Sequence, residues 1–315
     1  MFLENPPVTA SAPSKSPTGA RGKRTFDITP YLYVLPAIAL LVVWIYKPLA
    51  QTIELSFYDW NLLPTSPKTF VGLQNYVDVL ALPELHAALA NTGLYILAGF
   101  FFLILLPTAV VLLTRQIGGR ARTAYQAIIF IPFLVTPIAT SAIWRWLFAP
   151  EGGLITQGAS ALGIELGNVF RDPELSLWAV VVIVGWQMLG FGVLVISAGY
   201  TGISPDYADA AATDGASNAQ IIRRISLPLL SPTLVFLALM TVLLVAQWSY
   251  PVIDTLTKGG PSSSSTNIYY LLYQFGFQNF DSGLSSAAGT LFFIAFAVIA
   301  AVFVELSERV AFFDN

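Results

Sequence analysis

The sequence predicts an all-α membrane protein of six transmembrane helices with both termini cytoplasmic. Three observations carry that expectation: the composition, six long apolar segments, and the placement of Lys and Arg. Of 315 residues, 56% are hydrophobic and only 10% charged, with a mean hydropathy of +0.70. A soluble domain carries about 25% charged residues, so this chain has too little polar surface to face water all round. Apolar segments at 31–57, 87–114, 124–148, 175–200, 229–248 and 286–306 each reach the length of about 20 residues that crosses a hydrocarbon core. Pro36, Pro48, Pro107, Pro132 and Pro137 fall inside them, which a bundle tolerates because neighbouring groups satisfy the carbonyls that proline frees. With the N-terminus inside, ten cations (Lys15, Arg21, Lys23, Arg24, Arg115, Arg120, Arg122, Arg223, Arg224 and Arg309) lie on the cytoplasmic side. Four (Lys68, Arg145, Arg171 and Lys258) lie outside. That bias fixes the orientation.

The remaining segments follow in order. Residues 1–30 are rich in Pro, Ser and Ala and lack an apolar signal core, so they read as a disordered cytoplasmic tail. The six-helix domain spans 31–310, and 311–315 is a C-terminal tail. Between the first two spans, Leu73, Tyr76, Val77 and Leu80 share one helical face and predict a helix lying at the outer interface. After the fifth span come Pro251, Val252, Ile253, Asp254 and Thr257. Gly259-Gly260-Pro261 and the run Ser262–Ser265 must then be loop, and a short helix is expected over 267–277.

A polar island at 204–228 interrupts the apolar pattern. Ser204 is a natural N-cap, Pro205 suits the first helical position, and Asp206 and Asp209 place negative charge in the opening turns. Ala208, Ala210, Ala211 and Ala212 favour helix and leave a low surface on which another backbone can approach. Asp214-Gly215 supplies a turn, Ser217 caps a second short helix, and Ile221, Ile222 and Ile225 recur at helical spacing before Pro228. The product is a helix-turn-helix hairpin unable to bury itself, on the cytoplasmic side.

On these residues the chain resembles the inner-membrane permease subunits of ATP-binding-cassette importers. The cytoplasmic loop of that family carries acidic-Ala-Ala, then Gly, then Leu-Pro, here Asp209-Ala210-Ala211, Gly215 and Leu227-Pro228. The family usually has Glu where this chain has Asp209, one methylene shorter. The 70–76 segment and Thr257 followed by Gly259-Gly260-Pro261 are similar to the carbohydrate and glycerol-3-phosphate branch. The resemblance covers nearly everything after residue 31. It implies the type I importer permease fold, a second homologous permease subunit, two ATPase subunits that bind ATP and Mg, and an extracytoplasmic solute-binding protein in a bacterial or archaeal cytoplasmic membrane. Asp209, Ala210, Ala211, Asp214, Gly215, Leu227 and Pro228 would form the ATPase-coupling element, which would transmit ATP-driven closure as rigid-body motion.

The spans offer little for covalent chemistry. There is no cysteine, one histidine, His86, where the second span emerges, no paired carboxylates, and no GxxxxGK[ST] phosphate loop. The expectation is a non-catalytic conduit with no metal and no cofactor of its own, taking up a sugar or polyol phosphate. Candidate solute-pathway groups are Thr136, Thr140, Trp144, Trp186, Gln187, Gln247 and Tyr250, with Trp248 beside them, since aromatic faces, amides and hydroxyls are what sugars bind. The same groups serve equally to stitch helices together or to anchor interfaces, and Gly190 and Gly192 either permit helix contact or leave room for solute. Lys47 and Arg145 are the cations nearest a phosphate path, unless they snorkel to the interface. An ion-coupled secondary transporter would need ionisable groups midway along its spans, and a membrane enzyme would need converging catalytic side chains. Neither pattern stands out.

Overall fold

The computed structural model describes residues 29–115 and 117–310. The expected tails at 1–30 and 311–315 lie, apart from Thr29 and Pro30, outside the described residues. Two units are distinguished, 1–49 and 50–315. The described part of the first is an apolar helix running from Thr29 through a π-helical turn at Val42–Tyr46. None of its described side chains is buried, as befits a surface that meets lipid.

The second unit holds four long helices: Pro83–Leu113, Ser176–Thr201, Ser231–Leu256 and Ser282–Val310. Ser176–Thr201 is the central one. It is apolar on every side, as a core or membrane-spanning helix is, and it leaves Trp178, Val182, Trp186 and Leu194 exposed. Val180, Val184, Met188, Val193 and Ile196 are all at most 3% exposed. Towards one end it packs with Tyr95, Leu103, Val245, Val252 and Ile253. Towards the other it packs with Val111, Leu112, Leu230 and Leu237. Gly190 and Gly192 serve this packing: a Cβ at Gly190 would sit 2.5 Å from the Ile129 carbonyl oxygen, and one at Gly192 would sit 2.5 Å from that of Leu103. Backbones approach at both positions and leave no space for solute.

Two expectations change. The third span, read as one helix over 124–148, is instead two helices, Gly119–Leu134 and Pro137–Leu147, meeting at 95°. Pro137 drives its predecessor out of the helical region. Val135 (ψ 136°) and Thr136 (ψ 145°) are extended, and Thr136 Oγ1 accepts from Ala139 N to cap the second helix. The fifth span does not stop near 248 but continues through Pro251 to Leu256. The loop after it forms as expected and is tucked into the bundle: Thr257, Ser265, Thr266 and Asn267 are at most 1% exposed.

The helix expected between the first two spans forms at Gln74–Ala81, with Leu73, Val77 and Leu80 exposed, Tyr76 half-buried with its hydroxyl on Ser56 Oγ, and Val79 and Asn75 buried on the opposite face. Asn75 Nδ2 donates to the carbonyls of Ser56 (2.9 Å) and Tyr58 (3.0 Å), and so ties this helix to a two-residue antiparallel ladder, Tyr58–Asp59 with Thr69–Phe70. The short helix after the Ser run spans Ile268–Tyr273 and is capped by the Asn267 side chain.

Candidate functional site

The 204–228 hairpin forms as its capping chemistry dictates. Ser204 Oγ accepts from Asp206 N (3.3 Å) and opens the helix Pro205–Thr213. At its end Gly215 takes φ +82°, a left-handed conformation that glycine adopts without a Cβ penalty. Gly215 N donates to the Ala212 carbonyl (3.0 Å) and Ala216 N to that of Ala211 (2.9 Å). That pair of bonds is a Schellman closure. Ser217 then starts the second arm with a reciprocal capping box, Gln220 N to Ser217 Oγ at 3.4 Å and Ser217 N to Gln220 Oε1 at 2.7 Å.

The two arms differ in attachment. The second is welded to the bundle: Ile221, Ser226 and Leu230 are buried, and Ile222 and Leu227 pack with the cluster around Val111, Val193 and Ile196. Arg115 Nη2 donates to Asn218 Oδ1 at 2.6 Å, tying the arm to the end of Pro83–Leu113. On the first arm, Asp206, Asp209, Ala210 and Ala212 are exposed and Ala211 is half-buried. Among the described residues the Asp209 carboxylate has no hydrogen-bond or ion-pair partner; only its backbone carbonyl is engaged, by Thr213 Oγ1. Asp214 and Gly215 are exposed at the turn, and Leu227 and Pro228 lie half-buried where the second arm re-enters the bundle.

The solute-pathway candidates fall into separate groups. Gln187 is 1% exposed and Thr140 is 2% exposed. Gln187 Nε2 donates to the Val135 carbonyl (2.5 Å) and to Thr140 Oγ1 (3.3 Å). The amide therefore fills the hydrogen-bonding gap opened by the helix break beside Thr136. Trp144 stacks on Phe148 (5.8 Å) and meets Trp186 edge-on (5.6 Å), with Trp186 exposed. Trp248 stacks on Phe133 (5.1 Å), which stacks on Phe191 (5.3 Å). Gln247 is exposed, and Tyr250 packs edge-on against Tyr273 at 5.6 Å. His86 is exposed at the start of its helix, Nδ1 3.0 Å from the Leu82 carbonyl oxygen. Among the described residues no three His, Asp or Glu side chains gather as metal ligands.

Sequence reasoning missed the most densely bonded polar element, the knot at 257–267. Asn91 Nδ2 reaches the carbonyls of Ser263, Ser264 and Thr266 at 3.0–3.1 Å. Tyr95 OH donates to that of Ser265 (2.9 Å), and Asn267 Nδ2 to that of Ala246 (2.7 Å). Ser176 and Ser264 join their hydroxyls at 2.8 Å. Three long helices are thereby tied at one end. The available signal was polar residues at matched depth, Asn91 and Tyr95 in one span and Ser249 in another, facing a loop with many free carbonyls.

Comparison with known proteins agrees with this architecture. A probable ABC transporter permease protein of Sinorhizobium fredii is 28% identical over 296 residues, covering 93% of this chain and 94% of that one. The sn-glycerol-3-phosphate transport system permease protein UgpA of Pectobacterium atrosepticum is 29% identical over 281 residues, covering 88% and 94%. The fold matches a chain in the crystal structure of a bacterial ABC transporter involved in the import of the acidic polysaccharide alginate, with a TM-score of 0.77, 23% identity, and coverage of 90% of this chain and 96% of that one. The family model for the binding-protein-dependent transport system inner membrane component matches residues 106–311. That match takes in the broken helix, the central helix, the hairpin and the polar knot, and this chain belongs to that family of inner-membrane transport components.

Proposed function

We propose that the chain is the permease subunit of an ATP-driven importer, and that it couples to its motor through the 204–228 hairpin. The observation that carries the reading is the asymmetry of that hairpin: a first arm exposed along Asp209 and Ala210, and a second arm fixed into the bundle. A surface of that design receives force from outside and passes it inward. Asp209 is offered to a cation or N–H donor of an ATPase, and the alanines let the partner's backbone come close. The family supports the remaining partners: a second permease, two ATPases that carry the ATP and Mg, and an extracytoplasmic binding protein. The chain itself is a non-catalytic subunit.

Relatives named as sn-glycerol-3-phosphate permeases support a sugar or polyol phosphate as solute. Trp144, Trp186, Gln247 and Tyr250, which retain surface, are the groups proposed to meet it, with Thr136 at the helix break beside them. Thr140 and Gln187 act behind them by holding the break. Nothing among the described residues favours an ion-coupled mechanism: Glu84, Arg145 and Asp254 sit near helix ends.

The chain contains no cysteine, so a single Ala210→Cys reports its neighbours without ambiguity. In the reconstituted complex, the docking reading expects that thiol to cross-link to an ATPase subunit in a nucleotide-dependent way. Equal labelling by a water-soluble maleimide with and without the ATPase would refute it.

A further inference from the structure

At the end of the bundle opposite the hairpin lies an open cavity of about 450 Å³. The central helix separates the two features by 26 residues, or about 39 Å. Three of the four cations assigned to the outer side by charge bias, Arg145, Arg171 and Lys258, line it together with Asn168, Phe148 and Phe170. They come from three separate places: the last turn of Pro137–Leu147, the turn Val169–Arg171 before the central helix, and the residue just past the Thr257 cap of Ser231–Leu256. Their convergence is therefore a property of the fold rather than of one charged segment.

The two arginine charges are not spent internally. Lys258 pairs with Asp254 at 2.9 Å. Among the described residues neither Arg145 nor Arg171 has a carboxylate within ion-pair distance. The nearest carboxylates in sequence, Glu151 and Asp172, do not line the cavity, and Asp172 Oδ1 is occupied by the amides of Glu174 and Leu175 at 2.8 and 3.0 Å. The floor is apolar: Phe170, 6% exposed, meets Phe148 edge-on at 5.7 Å. A low-dielectric floor under a cationic rim strengthens the field felt by an entering anion. Lys258 holds φ +55°, a conformation that glycine adopts more cheaply, so the fold carries a local backbone cost with a lysine at the rim.

We propose that this cavity is an entry site for anionic sugar-type solutes, with the guanidinium groups of Arg145 and Arg171 gripping a phosphate or carboxylate before the solute reaches the bundle interior. Guanidinium matches both oxyanions with paired N–H donors. The proposal rests on the permease reading but not on the role of the hairpin.

The test uses the assembled importer in phosphatidylcholine nanodiscs, without ATP or binding protein, and measures retention of glucose 6-phosphate, glucuronate and glucose by equilibrium dialysis. These probes share a ring and differ chiefly in charge. The anionic sugars should bind about tenfold or more tightly than glucose, and the advantage should shrink as salt is raised. Arg145→Gln and Arg171→Gln should each reduce it and together abolish it, while the paired lysine substitutions keep most of it. A Gly215 variant should leave it unchanged, so failure of the docking reading and failure of this one are separately visible. Absence of a charge preference, or its survival in the double glutamine variant, overturns the proposal. So does its loss when phosphatidylglycerol replaces phosphatidylcholine, because a lipid headgroup would then be the occupant.

Discussion

Substitutions at Gly215 should weaken ATPase docking in proportion to the cost of a left-handed backbone, not in proportion to side-chain size. The residue sits at φ +82°, and a Cβ added there meets nothing within 4 Å. The whole penalty for an L-residue is therefore conformational, about 1–2 kcal/mol. If only the closed hairpin docks, the apparent affinity is the intrinsic one scaled by the closed fraction. For a hairpin near the balance point the closed fraction, and with it the affinity, falls about 3- to 15-fold. Asn tolerates the left-handed region best and a β-branched residue worst, so the expected order of affinity is Gly215, then Asn, Ala and Val. Proline belongs at the bottom. It fixes φ near −65° and removes the N–H that donates to the Ala212 carbonyl. The assay is titration of nanodisc-embedded permease with purified ATPase, membrane insertion being checked separately. Wild-type affinity for the Val variant, or equal loss for Asn and Val, would show that the turn conformation is not what the ATPase reads.

Three further outcomes follow from the same geometry. Ser217→Ala removes the acceptor for Gln220 N and should cost about 1 kcal/mol of local stability; cross-linking through Ala210→Cys should fall, but by less than in Gly215→Pro. Gln187→Leu keeps the volume but leaves the Val135 carbonyl without its amide donor. It should lower stability by about 1–3 kcal/mol, read as a drop in melting temperature, and an unchanged melting point would mean that water replaces the amide. Asn91→Ala removes the donor to Ser263, Ser264 and Thr266, and trypsin added from outside should then cut after Lys258 faster than in wild type.

How much was legible depended on how local the cause was. The hairpin was readable residue by residue because caps and turns act within four positions: Ser204, Pro205, Gly215 and Ser217 do in the structure what their side chains imply alone. The spans were readable because apolar length is additive. The break at Thr136-Pro137 was missed although its signal was present. Proline in a membrane helix is often tolerated, and which Pro bends the chain depends on a partner such as Gln187, 52 residues away. The polar knot was invisible for the same reason, since Asn91 and Thr266 are 175 positions apart. The three-cation cavity likewise needed the fold, because Arg145, Arg171 and Lys258 belong to different segments and each, taken alone, looks like an interfacial anchor.

On the proposed coupling role, the two arms of the hairpin would give force applied at Asp209 a route inward. A load on the first arm reaches the second through Gly215, whose carbonyl-closed turn leaves few free torsions. From there it meets Ile222, Leu227 and Leu230, in one packed cluster with Val193 and Ile196 of the central helix. Close-packed interiors compress little, so a displacement passes along rather than dissipating. The central helix is itself constrained at its other end by the Ser176–Ser264 bond and the knot. Beside this route lies the 95° break, where Gln187 of the central helix donates to the carbonyl of extended Val135 and to Thr140 Oγ1 of the helix beyond. In the proposed coupling role, the packed central helix and the break that its Gln187 side chain bonds to would act as lever and hinge. On the proposed function, Gln187 would move with the break, while Trp144 and Trp186 keep the surface assigned there to the solute.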